Sequence, residues 1–160
     1  MNIISMKKII VVILVAFIII QFFPIDKTNP PATPGMDFLK IKNTPEKIAR
    51  TIRTSCYDCH SNETTYPWYT NFSPASWWVK NHIDEGRKHL NFSTFAVYEP
   101  QRQLHKLEEC MEMVEKKEMP LESYYLGHQD AKLSDEQRAE LIQYFKKVKE
   151  DTERRIMFNK

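Results

Sequence analysis

Two cysteines and a histidine stand close together at Cys56, Cys59 and His60, in the order Cys-Tyr-Asp-Cys-His. This Cys-x-x-Cys-His (CxxCH) spacing is the attachment signature of c-type haem. Each thiol can add across one vinyl group on the same edge of a porphyrin, which gives two thioethers. The adjacent imidazole then lies under the ring, where it can bind the iron as the proximal ligand. The sequence therefore predicts one covalent haem c, held by the two cysteines and ligated through His60.

A second iron ligand is predicted at Met119, just after the end of a predicted helix. Pro120 follows it and stiffens the backbone there. Methionine opposite histidine raises the reduction potential of a haem, which suits an electron carrier. Met111, by contrast, falls on the apolar stripe of the helix and is interpreted as core packing. His82 and His128 are the competing candidates for the distal position.

Two further side chains could bind the propionates of a haem. Trp78 and Arg87 belong to the same predicted helix as His82, and they supply an indole N–H and a guanidinium group. His82 is predicted to face inwards, so it too could donate to a propionate. A different use of this helix is a zinc site at His82, Glu85 and His89, which share one face. No recognisable motif with a water-activating partner accompanies them, which weighs against zinc.

The elements that position these residues are predicted to be helices, because no alternating strand pattern is visible. Thr44 is the predicted N-cap of the first helix, with Pro45 at its first position, and this helix leads into Cys56. The second helix is predicted to begin with a Ser-Pro pair at residues 73–74, with the serine as its cap. It runs to about His89 and carries Trp78, His82 and Arg87.

Two more helices complete the predicted domain. The third runs from about Glu99 to Lys117 with apolar residues at three- and four-residue steps. The fourth begins at Ser134, where Gln137 completes a capping box. A small all-α domain has limited apolar surface of its own. A covalent haem would supply an apolar centre for about four helices to pack on.

The N-terminus is predicted to be an uncleaved signal anchor that forms one transmembrane helix. Lys7 and Lys8 precede the wholly apolar run Ile9–Ile20, and the small residues that a cleavage site needs are absent after it. The positive-inside rule then places the N-terminus in the cytoplasm and the rest of the chain outside the cytoplasmic (inner) membrane, after a single pass. The predicted division of the chain is an anchor at 1–25, a Pro-rich linker at 26–36 and a haem c-binding domain at 37–155.

Composition narrows the remaining possibilities. The chain has 160 residues and a formal net charge of +2, with no long basic run, so no nucleic-acid partner is expected. It has three cysteines, and with Cys56 and Cys59 assigned to haem, Cys110 is left as a lone thiol. Neither a disulfide framework nor a four-cysteine zinc site can be built from that set. Cys110 is interpreted as a small buried hydrophobic side chain.

Beyond the five-residue motif, several strings occur together: CYDCHSNETTYPWY at 56–69, PASWW at 74–78, HIDEGR at 82–87, LNFS at 90–93 and MPL at 119–121. In combination they resemble the bacterial haem-binding domain family of small, membrane-anchored, c-type cytochrome-like proteins. The resemblance covers about residues 40–150. It implies covalent haem c, a periplasmic location and a cytochrome c-like helical fold.

Three functions are compatible with these residues. The leading hypothesis is a membrane-tethered monohaem cytochrome that passes single electrons to an unidentified redox partner protein. The alternative is a haem-based sensor or peroxidase-like enzyme with a labile or vacant distal site. A thiol–disulfide oxidoreductase using Cys56 and Cys59 is a third possibility, but such sites follow a strand in a βαβ setting, and no strands are predicted here.

Overall fold

We describe the protein from a computed structural model, which covers residues 3–158. Within that range the chain is all helical and contains no strand, which confirms the predicted all-α class. The α-helices are α1 Ile3–Ile20, α2 Phe38–Ile41, α3 Glu46–Ile52, α4 Asp58–His60, α5 Ala75–His89, α6 Pro100–Glu115, α7 Glu122–Tyr125 and α8 Asp135–Phe158. Short 3-10 turns lie at Pro34–Met36, Trp68–Asn71, Phe92–Val97 and Gln129–Ala131.

The helices α3, α5, α6 and α8 are the four predicted from sequence, but the predicted caps of α3 and α5 are wrong. Pro45 is the N-cap of α3, and Pro74 is the N-cap of α5. The hydroxyl of Thr44 bonds instead to the Tyr144 hydroxyl at 2.7 Å. The hydroxyl of Ser73 bonds to the Ser76 hydroxyl at 3.1 Å. In both cases the hydroxyl bonds to another side-chain hydroxyl, and not to the backbone N–H predicted from the sequence.

The two long C-terminal helices, α6 and α8, form an antiparallel pair. Arg138 near the start of α8 donates to the carbonyl of Val114 near the end of α6, and Lys149 further along α8 lies 3.7 Å from Glu108. The start of α8 has the predicted capping box, because Gln137 N donates to the Ser134 hydroxyl and the Ser134 N–H donates to the Gln137 side chain. The buried apolar side chains of the pair are Leu107, Val114, Leu141, Phe145 and Val148.

The Cys56–His60 motif lies on a helical segment that continues beyond the end of α3. Residues Arg53–Tyr57 form a π-helix, and α4 continues directly to His60. A π-helical turn has i→i+5 backbone bonding, is rare, and occurs frequently at functional sites. The buried hydroxyl of Ser55 donates to the carbonyl of Ala131 at 3.0 Å, which ties this turn to the chain before α8. Both Cys56 and Cys59 are therefore held on one continuous helical stretch.

An aromatic core fixes the orientation of this stretch. Tyr57 is 4% exposed, and its ring stacks on Phe92 with centroids 5.6 Å apart and an interplanar angle of 11°. Its hydroxyl donates to the Asp37 carboxylate at 2.8 Å. Phe38 packs against Phe95 at 4.9 Å on the same side. Because Tyr57 is committed to the core, the cysteines on either side of it are directed towards a neighbouring cavity.

The N-terminal helix α1 forms as a helix, but its predicted role as a transmembrane span is not supported. Its side chains between Ile9 and Ile19 are largely exposed. Among residues 3–158, no helix combines the length and the apolar character that crossing a membrane requires. The 18 residues of α1 reach ~27 Å at ~1.5 Å per residue, which is less than the ~30 Å hydrocarbon core.

The segment after α1 is attached to the domain by several hydrogen bonds. The Gln21 side chain both donates to the carbonyl of Ser73 at 2.9 Å and accepts from its N–H at 3.0 Å. The Trp77 indole N–H donates to the carbonyl of Phe23 at 2.8 Å. Further along, Asn29 donates to the carbonyl of Thr64 at 2.9 Å. The predicted linker therefore runs along the surface of the domain near the start of α5.

Candidate functional site

The Cys-x-x-Cys-His motif opens onto a cavity of about 570 Å³. The cavity is lined by residues of the π-helical turn, α4, α5, α6 and the segment from Met119 to Tyr124. The lining is mostly apolar. The residues of the wall that carry the candidate chemistry are Cys56, Cys59, His60, Cys110, Met113 and Met119.

The imidazole of His60 is oriented by two backbone carbonyls of α5 and its C-terminus. Nδ1 lies 3.0 Å from the carbonyl oxygen of Gly86 and 3.1 Å from that of Leu90. A carbonyl can only accept, so the proton must be on Nδ1, and Nε2 keeps its lone pair. Nε2 has no hydrogen-bond partner within residues 3–158. Burial lowers the pKa of His60, which favours the neutral imidazole that a metal requires.

Gly86 brings α5 unusually close to the motif. A Cβ at this position would lie 2.5 Å from the carbonyl oxygen of Cys59 and 3.1 Å from its carbonyl carbon. No side chain tolerates such an approach to backbone atoms, so only glycine allows this packing. The same approach brings the Gly86 carbonyl to His60. The absence of a Cβ at Gly86 therefore determines how close His60 lies to α5.

The two cysteines of the motif are unpaired thiols on the cavity wall. Burial raises the pKa of Cys56 to about 12 and that of Cys59 to about 11. Redox-active dithiols need a lowered pKa, because the thiolate is the nucleophile. Burial also raises the pKa of Cys110, which lies near Cys56 in the same cavity. These protonated thiols and the absence of strands within residues 3–158 weigh against a thiol–disulfide oxidoreductase.

Met119 lies on the cavity wall in the segment that follows α6. A buried arginine from α8 fixes this segment. Nη1 of Arg138 donates to the carbonyl of Met119 at 2.9 Å and to the carbonyl of Val114 at 3.0 Å. Arg138 is 7% exposed, so both bonds are shielded from water. The structure therefore brings Met119 and His60 to one cavity, and ligation by Met119 stays a prediction.

The structure places the other predicted site residues differently. His82 lines the cavity, but its Nδ1 bonds to the carbonyl of Trp78 at 2.8 Å and its ring lies 4.3 Å from that indole. Trp78 is 51% exposed and lines only a smaller neighbouring pocket, together with His128. Arg87 is not brought to the cavity. Its guanidinium donates to the carbonyl of Ser61 and to the side chains of Asn29 and Thr64.

The zinc alternative has no structural counterpart. In the part of the chain that the structure describes, no three His, Cys, Asp or Glu side chains are grouped so that they could hold a metal ion. His89 Nε2 lies 3.7 Å from the Glu85 carboxylate, and both side chains are largely exposed.

Several residues of the site were not identified from sequence. Gly86 carried a usable signal, since it is one of only three glycines and lies inside an amphipathic helix. Arg138 carried none, because nothing local distinguishes it from the other basic residues of α8. Asp58 and Tyr124 were also missed. The Tyr124 hydroxyl donates to the Asp58 carboxylate at 2.7 Å, which connects the motif to α7.

A family model described as a haem-binding domain matches residues 15–147. The match covers most of the chain and includes the motif, α5, α6 and Met119. No curated protein and no solved structure matches the chain.

The residues of the cavity fit a haem group. The volume lies within the ~300–1,000 Å³ typical of cofactor sites. One wall offers an imidazole whose Nε2 lone pair is uncommitted, and another offers the thioether of Met119, both of which are iron ligands in haem proteins. The thiols of Cys56 and Cys59 line the same cavity as the imidazole.

Proposed function

Because this chain belongs to the haem-binding domain family, we propose that it is a monohaem c-type cytochrome that carries single electrons. In this proposal Cys56 and Cys59 hold the haem through thioethers, while His60 and Met119 ligate the iron. The helical domain is then cytochrome c-like, and its electrons are exchanged with an unidentified redox partner protein.

The observation that carries the proposal is the hydrogen bonding of His60. A histidine on a metal is normally fixed by donating its other ring N–H to a carbonyl, and this orients the ring and raises its basicity. His60 makes that bond to Gly86 and Leu90, with its second nitrogen uncommitted. A histidine that only filled space in the core would not require two carbonyl partners at one ring nitrogen. His60 has both, and it directly follows two cysteines that line the cavity.

The haem iron, when bound, supplies the one-electron chemistry. The task of the chain is to hold, orient and shield that group. Met119, which lines the same cavity, would raise the potential if it bound the iron, as thioether ligation does. The apolar lining, with Phe92, Val114 and Phe145 among its residues, lowers the local dielectric and limits water access. The buried Tyr57, stacked on Phe92 and bonded to Asp37, would hold the motif in place under the haem.

We further propose that the domain works in the periplasm, held at the cytoplasmic membrane by α1. Support comes from the exposed apolar side chains of α1, such as Val12 at 66% and Ile13 at 61%, which need an apolar surrounding. Lys7 and Lys8 lie at the start of this apolar stretch, which favours a cytoplasmic N-terminus. Fractionation of cells, followed by carbonate extraction of the membranes, tests whether the protein is held at the membrane. Protease treatment tests the location of the domain, which should be protected until the outer membrane is permeabilised.

Covalent attachment is tested by intact mass and by the pyridine haemochrome spectrum of the full chain made with its haem attachment machinery. We expect the mass of one haem on the polypeptide and the spectrum of two saturated vinyl groups. The Cys56→Ala, Cys59→Ala double variant should lose the covalent mass. Cys110→Ala is the matched control, because Cys110 lines the same cavity outside the motif, and it should keep the haem. A wild-type chain without covalent haem would refute the c-type assignment.

A further inference from the structure

The cavity wall carries one strong cation, which lies outside the Cys56–His60 motif. Lys106 on α6 lines the cavity one helical turn before Cys110, and its side chain is 12% exposed. Its ammonium pairs with the Glu109 carboxylate, whose other oxygen lies 3.1 Å from His105 Nε2. Among the described residues, Lys106 is the only lysine or arginine on this wall.

The same cavity lining carries three carboxylates. Asp58, Glu85 and Glu109 line it as well. Asp58 is already committed, because its oxygens accept from Tyr124 and from the Thr65 N–H. A haem carries two propionate carboxylates on the edge opposite its vinyl groups. The carboxylates of the cavity lining would repel the two propionates unless a cation lay close to the propionates.

Arg87, the donor predicted from sequence, cannot supply that cation from its position. It is not on the cavity wall, and its three hydrogen bonds brace the loop after the motif. Lys106 can, because an ammonium has three donors and can bond to a propionate while it keeps Glu109. Its side chain lines this mostly apolar cavity and is 12% exposed, and a lysine can pack its alkyl stem against apolar groups while its ammonium makes polar contacts.

We propose that Lys106 is the propionate-binding residue of the haem site and that Glu109 holds its ammonium in place. The proposal rests on haem binding in this cavity, and it adds which residue recognises the carboxylate edge of the ligand. It also gives the pocket a preference between haems that differ only in the charge of that edge.

The test uses the full-length chain with Cys56→Ala and Cys59→Ala, so that binding is reversible and can be measured as a dissociation constant. This protein is titrated with haemin and with haemin dimethyl ester, whose propionates are neutral. We expect Lys106→Gln to weaken haemin binding by about tenfold, the loss of one charge-assisted bond, and to leave the affinity for the ester unchanged. Lys149→Gln on α8 is the matched control, because Lys149 pairs with Glu108 and Glu153 outside the cavity.

Two results would overturn the assignment: equal losses for haemin and its ester, which would indicate a packing role alone, or no loss for either. A second measurement needs no cysteine variant. In the chain with covalent haem, Lys106→Gln should shift the reduction potential downwards, because a lost positive charge favours the oxidised iron, and an unchanged potential would reject the proposal. If the wild-type chain took up no haem in either form, the function itself would fail rather than Lys106.

Discussion

The Nδ1 atom of His60 lies 3.0 Å from the carbonyl oxygen of Gly86, on the helix that packs across the motif. This contact exists because Gly86 has no Cβ, which lets α5 approach the backbone of Cys59. The histidine of the motif and the helix that orients it are therefore coupled through one glycine. The first prediction concerns that coupling.

Substitution of Gly86 by alanine should destabilise the protein although α5 is a helix. Alanine improves helix propensity by about 1 kcal/mol, but the clash of its Cβ at 2.5 Å from the Cys59 carbonyl oxygen forces overpacking that costs about 1–3 kcal/mol. We expect a net loss of up to about 2 kcal/mol in the free energy of unfolding. Denaturant titration measures it. Gly35→Ala is the control, since nothing lies within 4 Å of a Cβ there, and an equal effect at both sites would contradict this explanation.

Substitution of Met119 by alanine should remove the distal ligand. The ferric spectrum should lose its methionine-ligated low-spin form, and the ferrous protein should bind carbon monoxide readily. The reduction potential should fall, because axial ligands set haem potentials over a range of about 0.8 V. Met113→Ala is the control, as Met113 lines the same cavity from α6. An unchanged potential and spectrum in Met119→Ala would point to His82 or to a site of the sensor type.

Substitution of Arg138 by methionine should destabilise the protein and loosen the Met119 segment. The change leaves the carbonyls of Val114 and Met119 without their buried donor. Hydrogen bonds from a charged group contribute about 1.5–3 kcal/mol each, so the loss of both bonds should cost about 3–6 kcal/mol on thermal or chemical unfolding. Carbon monoxide binding should also become faster. Arg154→Met on the exposed part of α8 should change neither quantity, and a loss of similar size there would refute the role of Arg138.

Substitution of Tyr124 by phenylalanine should weaken the support of the motif from α7. Burial, together with the bond to Asp58, raises the pKa of Tyr124, so its hydroxyl is the donor at neutral pH. Loss of this half-buried bond to a carboxylate should cost about 1–2 kcal/mol of unfolding free energy. The measurement is denaturant unfolding of the haem-loaded chain. Tyr125→Phe, one residue on, is the control and should behave as the wild type.

The sequence allowed the local features of this site to be predicted. The Cys56–His60 motif is defined by spacing along five residues, and the capping box of Ser134 and Gln137 by a spacing of three. The family resemblance rested on such strings and is confirmed by the family match over residues 15–147. The apolar stripe predicted α6 within a few residues of its ends, and the capping box predicted the start of α8.

The choice between side chains of the same chemistry could not be made from sequence. Arg87 and Lys106 are both cations on amphipathic helices, and only packing shows that Arg87 bonds to Asn29 and Thr64 while Lys106 faces the cavity. The predicted caps at Thr44 and Ser73 were wrong for the same reason, because each side chain has another partner in the folded chain. Thr44 bonds to Tyr144, which is distant in sequence, and Ser73 bonds to the hydroxyl of Ser76.

The sequence by itself determined the helical class, the haem-binding family and the residue types of the motif, since these depend on residue types and short spacings along one chain. The tertiary structure decided how the side chains of the site are held. It set the tautomer of His60 through Gly86 and Leu90, anchored the Met119 segment through Arg138, and placed Lys106 at the cavity wall. Each of these contacts joins residues separated by many positions, and their distances are set by the packing of whole helices.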